Sequence, residues 1–166
     1  MSLYEKRAKE LEVARVFINR HNIRFGTDYI VNLDEKDHEI DCVASSTSKV
    51  LDDMNIQVTT TDTNLIENTL ETIKKPRTII PMYNKWEDDI ADSIRKKSNQ
   101  YPTNLKENVV LLVRSDSGFP FNHDYLIEKT EEVCKNSRFK SIYYISLPDR
   151  VKETYPIDKW QIISLI

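Results

Sequence analysis

The chain is expected to fold as a single α/β domain over residues 1–166, a mixed β-sheet flanked by helices. Three observations predict this. An amphipathic helical pattern opens the chain. Three short segments rich in Ile, Val and Thr come after it, separated by clusters of Asp, Asn, Lys and Ser. Beyond them, helical patterns alternate with apolar runs of strand length. Hairpin strands succeeded by crossover helices give a sheet with antiparallel and parallel parts and helices on both faces. A chain of 166 residues fits one domain and buries about two thirds of the surface its unfolded form exposes.

From Tyr4 to His21, Leu11, Ala14, Phe17 and Ile18 recur at spacings of three and four, and Gly26 supplies the break after them. TDYIVNL, HEIDCVA and MNIQVTTT read as three strands, with LDEKDH and SSTSKVLDD as the turns between them. In the second strand, alternation sends Ile40, Cys42 and Ala44 one way and Glu39, Asp41 and Val43 the other. Asn64 to Lys75 reads as a short helix ended by Pro76, and RTIIPMY fits either period. WEDDIADSIRKKSNQY spaces Trp86, Ile90 and Ile94 by fours and ends in Arg95, Lys96 and Lys97, cations that suit a helix C-terminus. NVVLLVR is an uninterrupted apolar run, expected to be buried on both faces. SDSGFPFNHD is a loop in which Asn122 or Asp124 can cap a helix reaching about Asn136. KSIYYISL is a further buried strand, and WQIISLI adds an edge strand or packs on the sheet.

Composition narrows the function. Hydrophobic residues make up 39% and charged residues 31%, which excludes disorder and fibrous repeats. The opening MSLYEKRAKELEVARVF lacks the apolar core of a signal peptide, and no apolar run approaches the ~20 residues that span a bilayer, so a cytoplasmic location without a membrane is expected. Cys42 and Cys134 stand far apart without a CxxC or a His cluster, and read as buried thiols. Two glycines leave no phosphate-cradling loop. The net charge of −3 argues against non-specific coating of nucleic acid. Its distribution says more. Residues 1–27 hold six Lys or Arg against three Glu, whereas residues 28–71 hold two Lys against eleven Asp or Glu. A basic helix beside an acidic middle suits a cation site next to a phosphate-binding surface, and equally a solvated surface of mixed charge.

The candidate chemistry sits on "EVARVF" at 12–17, "HEIDCVA" at 38–44 and "IQVTT" at 56–60. Alternation puts Gln57 and Thr59 on one face of their strand, and two adjacent strands can bring Asp41 and Gln57 to one end of a sheet. In this order the pieces resemble the PD-(D/E)XK nuclease superfamily, in particular small prokaryotic proteins related to Holliday-junction resolvases. There a helix carries E-x-x-A-x-x-x-L, a strand reads G-E-I-D-x-[IV]-A, and the next reads V-E-V-K-T. The resemblance spans residues 10–62, with element order extending it to about residue 146.

What the resemblance implies is a restriction-endonuclease-like core and phosphodiester hydrolysis assisted by Mg²⁺ or Mn²⁺. The cation would polarise a phosphoryl oxygen and activate water, held by one or two carboxylates plus waters. Asp41 and Gln57 would be metal ligands, and Glu12 and Glu39 further ones. The partner implied is nucleic acid, DNA ahead of RNA, and pairing of the chain with itself is common among such proteins. The sequence departs from the pattern twice. Gln57 replaces the usual glutamate and brings a carbonyl without charge. Thr59 replaces the lysine, leaving Lys49, Lys74 or Lys75 as substitutes by nearness in sequence. The alternative reading is a non-catalytic interaction or scaffold domain on the same fold. Under it, Asp41, Gln57 and Thr59 are ordinary polar strand residues and Glu12 is a local ion-pair partner.

Other side chains carry less. His21, His38 and His123 lack metal-ligand spacing and read as surface residues. Ser115, Asp116 and Ser117 follow a buried strand without a nucleophile-elbow pattern. Tyr83, Trp86 and Tyr101 near Lys85 and Lys96 could stack on bases, although packing accounts for them as well.

Overall fold

The long opening helix owes its length to a stripe of apolar side chains and its end to one glycine. In a computed structural model that describes residues 3–33, 40–61, 84–115, 123–146 and 160–166, α1 runs Leu3–Phe25, buries Val13, Ala14, Val16, Phe17 and Ile18, and extends one turn beyond His21. Gly26 then adopts φ +65°, a left-handed conformation that side chains with a Cβ resist. Asn22 fastens the reversal. Its Oδ1 accepts from the Tyr29 amide at 3.1 Å and from the Thr27 hydroxyl at 2.7 Å, and its Nδ2 donates to the Tyr29 carbonyl at 2.9 Å. The chain therefore turns directly into a strand.

Three antiparallel strands come next: β1 (Tyr29–Leu33), β2 (Cys42–Ser46) and β3 (Met54–Thr60). Val31 lies opposite Ala44 across the first pair, and Cys42 opposite Ile56 across the second. The β2–β3 turn is latched by Asp28, which accepts from the Ser46 hydroxyl at 2.6 Å, the Thr47 hydroxyl at 2.7 Å and the Ser48 amide at 2.7 Å. Lys49 in that turn has φ 57°. One expectation changes here. β2 begins at Cys42, and Ile40 packs in the opposite core from Cys42 and Ala44. The strand alternation breaks at Asp41, because the Asp41 carboxylate, rather than a neighbouring carbonyl, takes the Val58 amide hydrogen at 2.8 Å.

The second half alternates helices with strands. Helix α2 (Asn84–Gln100) leads through a single-turn α3 (Thr103–Lys106) into β4 (Val109–Ser115); α4 (His123–Ser137) then leads into β5 (Ser141–Ser146), and β6 (Gln161–Ser164) closes the edge. Strand order is sequential, β1 to β6. β4 is parallel to β3 and to β5, and β6 is antiparallel to β5. Every residue of β4 is buried, as an apolar run without alternation requires. Lys106 anchors the end of α2 by donating to the Ser98 carbonyl and hydroxyl, 3.0 Å each.

Two cores result, one on each face. Val110 and Leu112 of β4 join Ile56, Val58 and the α1 side chains. Leu111 and Val113 join Ile90 and Ile94 of α2 and Leu126 and Cys134 of α4. Both crossovers advance in the same direction across the sheet, and right-handed connections therefore place α2 and α4 together, opposite α1. The helix expected over 64–75 and the segment 77–83 lie outside the described residues. Among the described residues no helix is long and apolar enough to cross a membrane.

Candidate active site

The β2–β3 pairing positions the first two groups. Cys42 faces Ile56, so one step back in the antiparallel register Asp41 meets Gln57. The Gln57 amide nitrogen donates to Asp41 Oδ2, the same oxygen that accepts from the Val58 backbone. Gln57 is buried, with 2% exposure. A primary amide so deeply buried must find partners at both ends. The other end is met from α2's side of the sheet, where the Tyr101 hydroxyl donates to Gln57 Oε1 at 2.8 Å. The pairing of donors and acceptors thus fixes which way the amide points. Thr59 shares the Gln57 face and is half-buried.

Charged groups gather around this chain of bonds from two helices. Glu10 of α1 has a side chain only 12% exposed and lies 3.5 Å from the Lys6 ammonium. Burial, then the nearby Asp41 carboxylate, pushes its pKa up, and Lys6 opposes both. Lys97, in the last turn of α2, is half-buried. Its ammonium lies 5.8 Å from the centroid of the Tyr101 ring. Burial lowers its pKa; Lys6 adds to that, while Asp41 and Glu10 act against it. Glu10 and Lys97 thus each feel the Asp41 carboxylate and the Lys6 ammonium, at the end of the β2–β3 pair where α1 and the last turn of α2 come near. A half-buried carboxylate whose ionisation a second carboxylate disfavours, as Asp41 does for Glu10, is relieved by a cation.

The residues singled out from the sequence divide accordingly. Asp41 and Gln57 are brought together. Glu12 is exposed, and the α1 carboxylate beside Asp41 is Glu10. Two residues along a helix are about 200° apart around its axis, so only one of the two can face the sheet. Glu39, Lys74 and Lys75 lie outside the described residues, as do His38, Asp116, Ser117 and the side chains of Tyr83, Lys85 and Trp86. Lys49 is exposed in the β2–β3 turn, at the opposite end of the hairpin from Asp41. His123 is exposed at the start of α4, whereas His21 is half-buried, with Nδ1 3.1 Å from the Thr27 hydroxyl. Cys42 and Cys134 are both buried free thiols, pushed up to about 12 and about 11 chiefly by burial, values that keep them protonated and inert.

Glu10, Lys97 and Tyr101 are the members that motif reading misses or places elsewhere. Helical spacing holds a signal for each. Glu10 precedes Val13, Ala14 and Phe17 by three, four and seven residues, which puts it on the buried stripe of α1. Lys97 follows Ile94 by three and Ile90 by seven, and Tyr101 continues the same line.

The donor set can be tested against a metal. Among the described residues no three His, Cys, Asp or Glu converge, a poor match to the Cys- and His-rich sites zinc prefers. Magnesium and manganese ask less: one or two carboxylates, carbonyl oxygens and waters. Asp41 and Glu10 with the Gln57 carbonyl fit that demand, provided the Gln57 amide turns its oxygen away from Tyr101. In comparisons with known proteins the chain matches no family model, no curated protein sequence and no solved structure.

Proposed function

We propose that the protein is a divalent-metal-dependent nuclease on a restriction-endonuclease-like core, acting on phosphodiester bonds of nucleic acid in the cytoplasm, DNA ahead of RNA. The observation that carries this reading is the Asp41–Gln57 hydrogen bond at the end of the β2–β3 pair, with Glu10 and Lys97 near enough for the Asp41 charge to act on both. The element order supports it too: a helix, three antiparallel strands, a crossover helix and a parallel fourth strand.

In this reading Asp41 and Glu10 hold Mg²⁺ or Mn²⁺ with the Gln57 carbonyl. The cation supplies polarisation of a phosphoryl oxygen and a more acidic bound water. The chain's own groups do the rest. Lys97 approaches from α2 and fills the need left by Thr59, offering a cation to the phosphate or to the attacking water. Partial burial strengthens that interaction, since a charge shielded from water acts through a lower dielectric. The Val58 amide fixes the Asp41 carboxylate, and the Gln57 amide leaves Tyr101 to offer its oxygen to the cation.

One observation favours the second reading, a non-catalytic interaction domain. Gln57 turns its amide NH₂, a donor, toward Asp41 and its carbonyl toward Tyr101, a network satisfied without any cation. Two measurements separate the readings. Cleavage of single-stranded, duplex and branched DNA and of RNA in Mg²⁺ and Mn²⁺ should be seen for the native chain and lost in Asp41→Ala. Millimolar Mn²⁺ should also raise Tm, because a ligand bound only by the folded state stabilises it by about 2.7 kcal/mol at 100 times its Kd. No cleavage and no thermal shift would establish the interaction domain instead.

A further inference from the structure

A recess of about 250 Å³ lies beside the α1 core, between the C-terminal half of α1 and strands β5 and β6. Its walls are aromatic and cationic. Phe17 and Tyr143 meet with ring centroids 4.7 Å apart, and His21 and Phe25 likewise at 4.7 Å. Arg20 and Arg24 line the same space, and no Asp or Glu is among its described lining residues. The Arg24 guanidinium stands over the Phe25 ring, 5.2 Å from its centroid. Arg20 is oriented by donating Nη2 to the Trp160 carbonyl at 2.7 Å. Phe25 is 58% exposed at the rim.

Each feature restricts the ligand. The exposed Arg24 guanidinium on the recess wall calls for an anion, and its planar fork matches phosphate. Exposed and half-exposed rings call for a planar group to stack on. The volume is below the ~300 Å³ at which pockets for drug-sized ligands begin, so there is room for one ring system and its phosphate rather than a larger molecule. The complement of the last-turn Arg24 to the α1 dipole explains its charge, but not the ring-lined recess beside it.

We propose that this recess binds a single nucleotide unit, with the base stacked on Phe25 and Tyr143 and the phosphate held by Arg24. It is separate from Asp41, on a different stretch of α1, and stands whether or not that site cleaves. The unit can be a free nucleotide or one residue of a single strand, and the test distinguishes them.

The full chain is titrated with AMP and dAMP by NMR, and with a fluorescent single-stranded oligonucleotide by anisotropy, for the native protein and for Asp41→Ala, Arg24→Glu and Phe25→Ala. Both recess positions are exposed, so their variants should fold as the native chain does, Arg24→Glu with a small loss of Tm from the reversed charge at the α1 C-terminus. Base stacking on an aromatic side chain is large enough that losing it weakens binding by about tenfold or more. Saturable binding of mononucleotides, weakened in Arg24→Glu and Phe25→Ala and unchanged in Asp41→Ala, makes the ligand a free nucleotide. The same pattern with the oligonucleotide alone makes it a unit of a strand. Binding of neither probe, or equal binding by the recess variants and the native chain, overturns the proposal. Cleavage lost in Asp41→Ala with intact recess binding would show that the two sites are independent.

Discussion

Glu10 is a carboxylate whose charged form is held at a cost, with a side chain only 12% exposed and the Asp41 charge acting on it. It sits on the buried stripe of α1 with Val13, Ala14 and Phe17, and it faces a second carboxylate. Replacement by Gln removes the like-charge repulsion and part of the desolvation cost while keeping the shape. Glu10→Gln should therefore raise Tm by roughly 2 °C at neutral pH without metal, the scale expected for under 1 kcal/mol in a chain of this length. The same change should abolish the Mn²⁺-induced thermal shift. A variant less stable than native, with the shift intact, would remove Glu10 from the site. Tyr101 makes a complementary case. Tyr101→Phe leaves the buried Gln57 carbonyl without its donor, and a lost partner for a buried polar group costs about 1 to 3 kcal/mol. Chemical denaturation should show that loss with an unchanged m-value. Mn²⁺ should bind this variant at least as well, since the Gln57 oxygen is released.

Among elements, the β2–β3 hairpin depends on a residue outside both strands. Asp28 accepts three hydrogen bonds from Ser46, Thr47 and Ser48, which hold its carboxyl well below the usual carboxylate range. A group with a depressed folded pKa stabilises the fold above its unfolded pKa, and that contribution fades as pH falls below about 4. The acid limb of the native Tm profile should accordingly be steeper than that of Asp28→Ala below pH 4, with the two curves converging as the native carboxyl protonates. Parallel profiles would show that the latch contributes nothing. The period of the elements was plain in the residues: NVVLLVR at β4 and the Ile90–Ile94 spacing of α2 need no tertiary information. The start of β2 was not. Strand alternation places Ile40 with Cys42, whereas an acceptor on the Asp41 side chain ends the ladder and sends Ile40 to the opposite core.

For the whole molecule, the sheet is the shared wall of two cores, and its centre is β4. Every residue of β4 is buried, and its side chains alternate between the α1 core and the α2–α4 core. β1 and β6 lie at the edges. Native-state hydrogen exchange should therefore find the slowest amides in β4 and its neighbours β3 and β5, opening near the global unfolding free energy, with β1 and β6 exchanging through smaller openings. Equal protection across all six strands would mean the two cores do not stabilise the centre beyond the edges. The sequence by itself determined the mixed sheet, the antiparallel start, the parallel continuation and the approach of Asp41 to Gln57, because hydrophobic period and short connections are local properties of the chain. Only the tertiary structure decided that Glu10 rather than Glu12 stands by Asp41, and that Lys97 of α2 and Tyr101 just past its end arrive from some forty residues further on. Those meetings depend on how α1 and α2 are rotated against the sheet. That rotation is set by the packing of whole helical faces, which no single motif records.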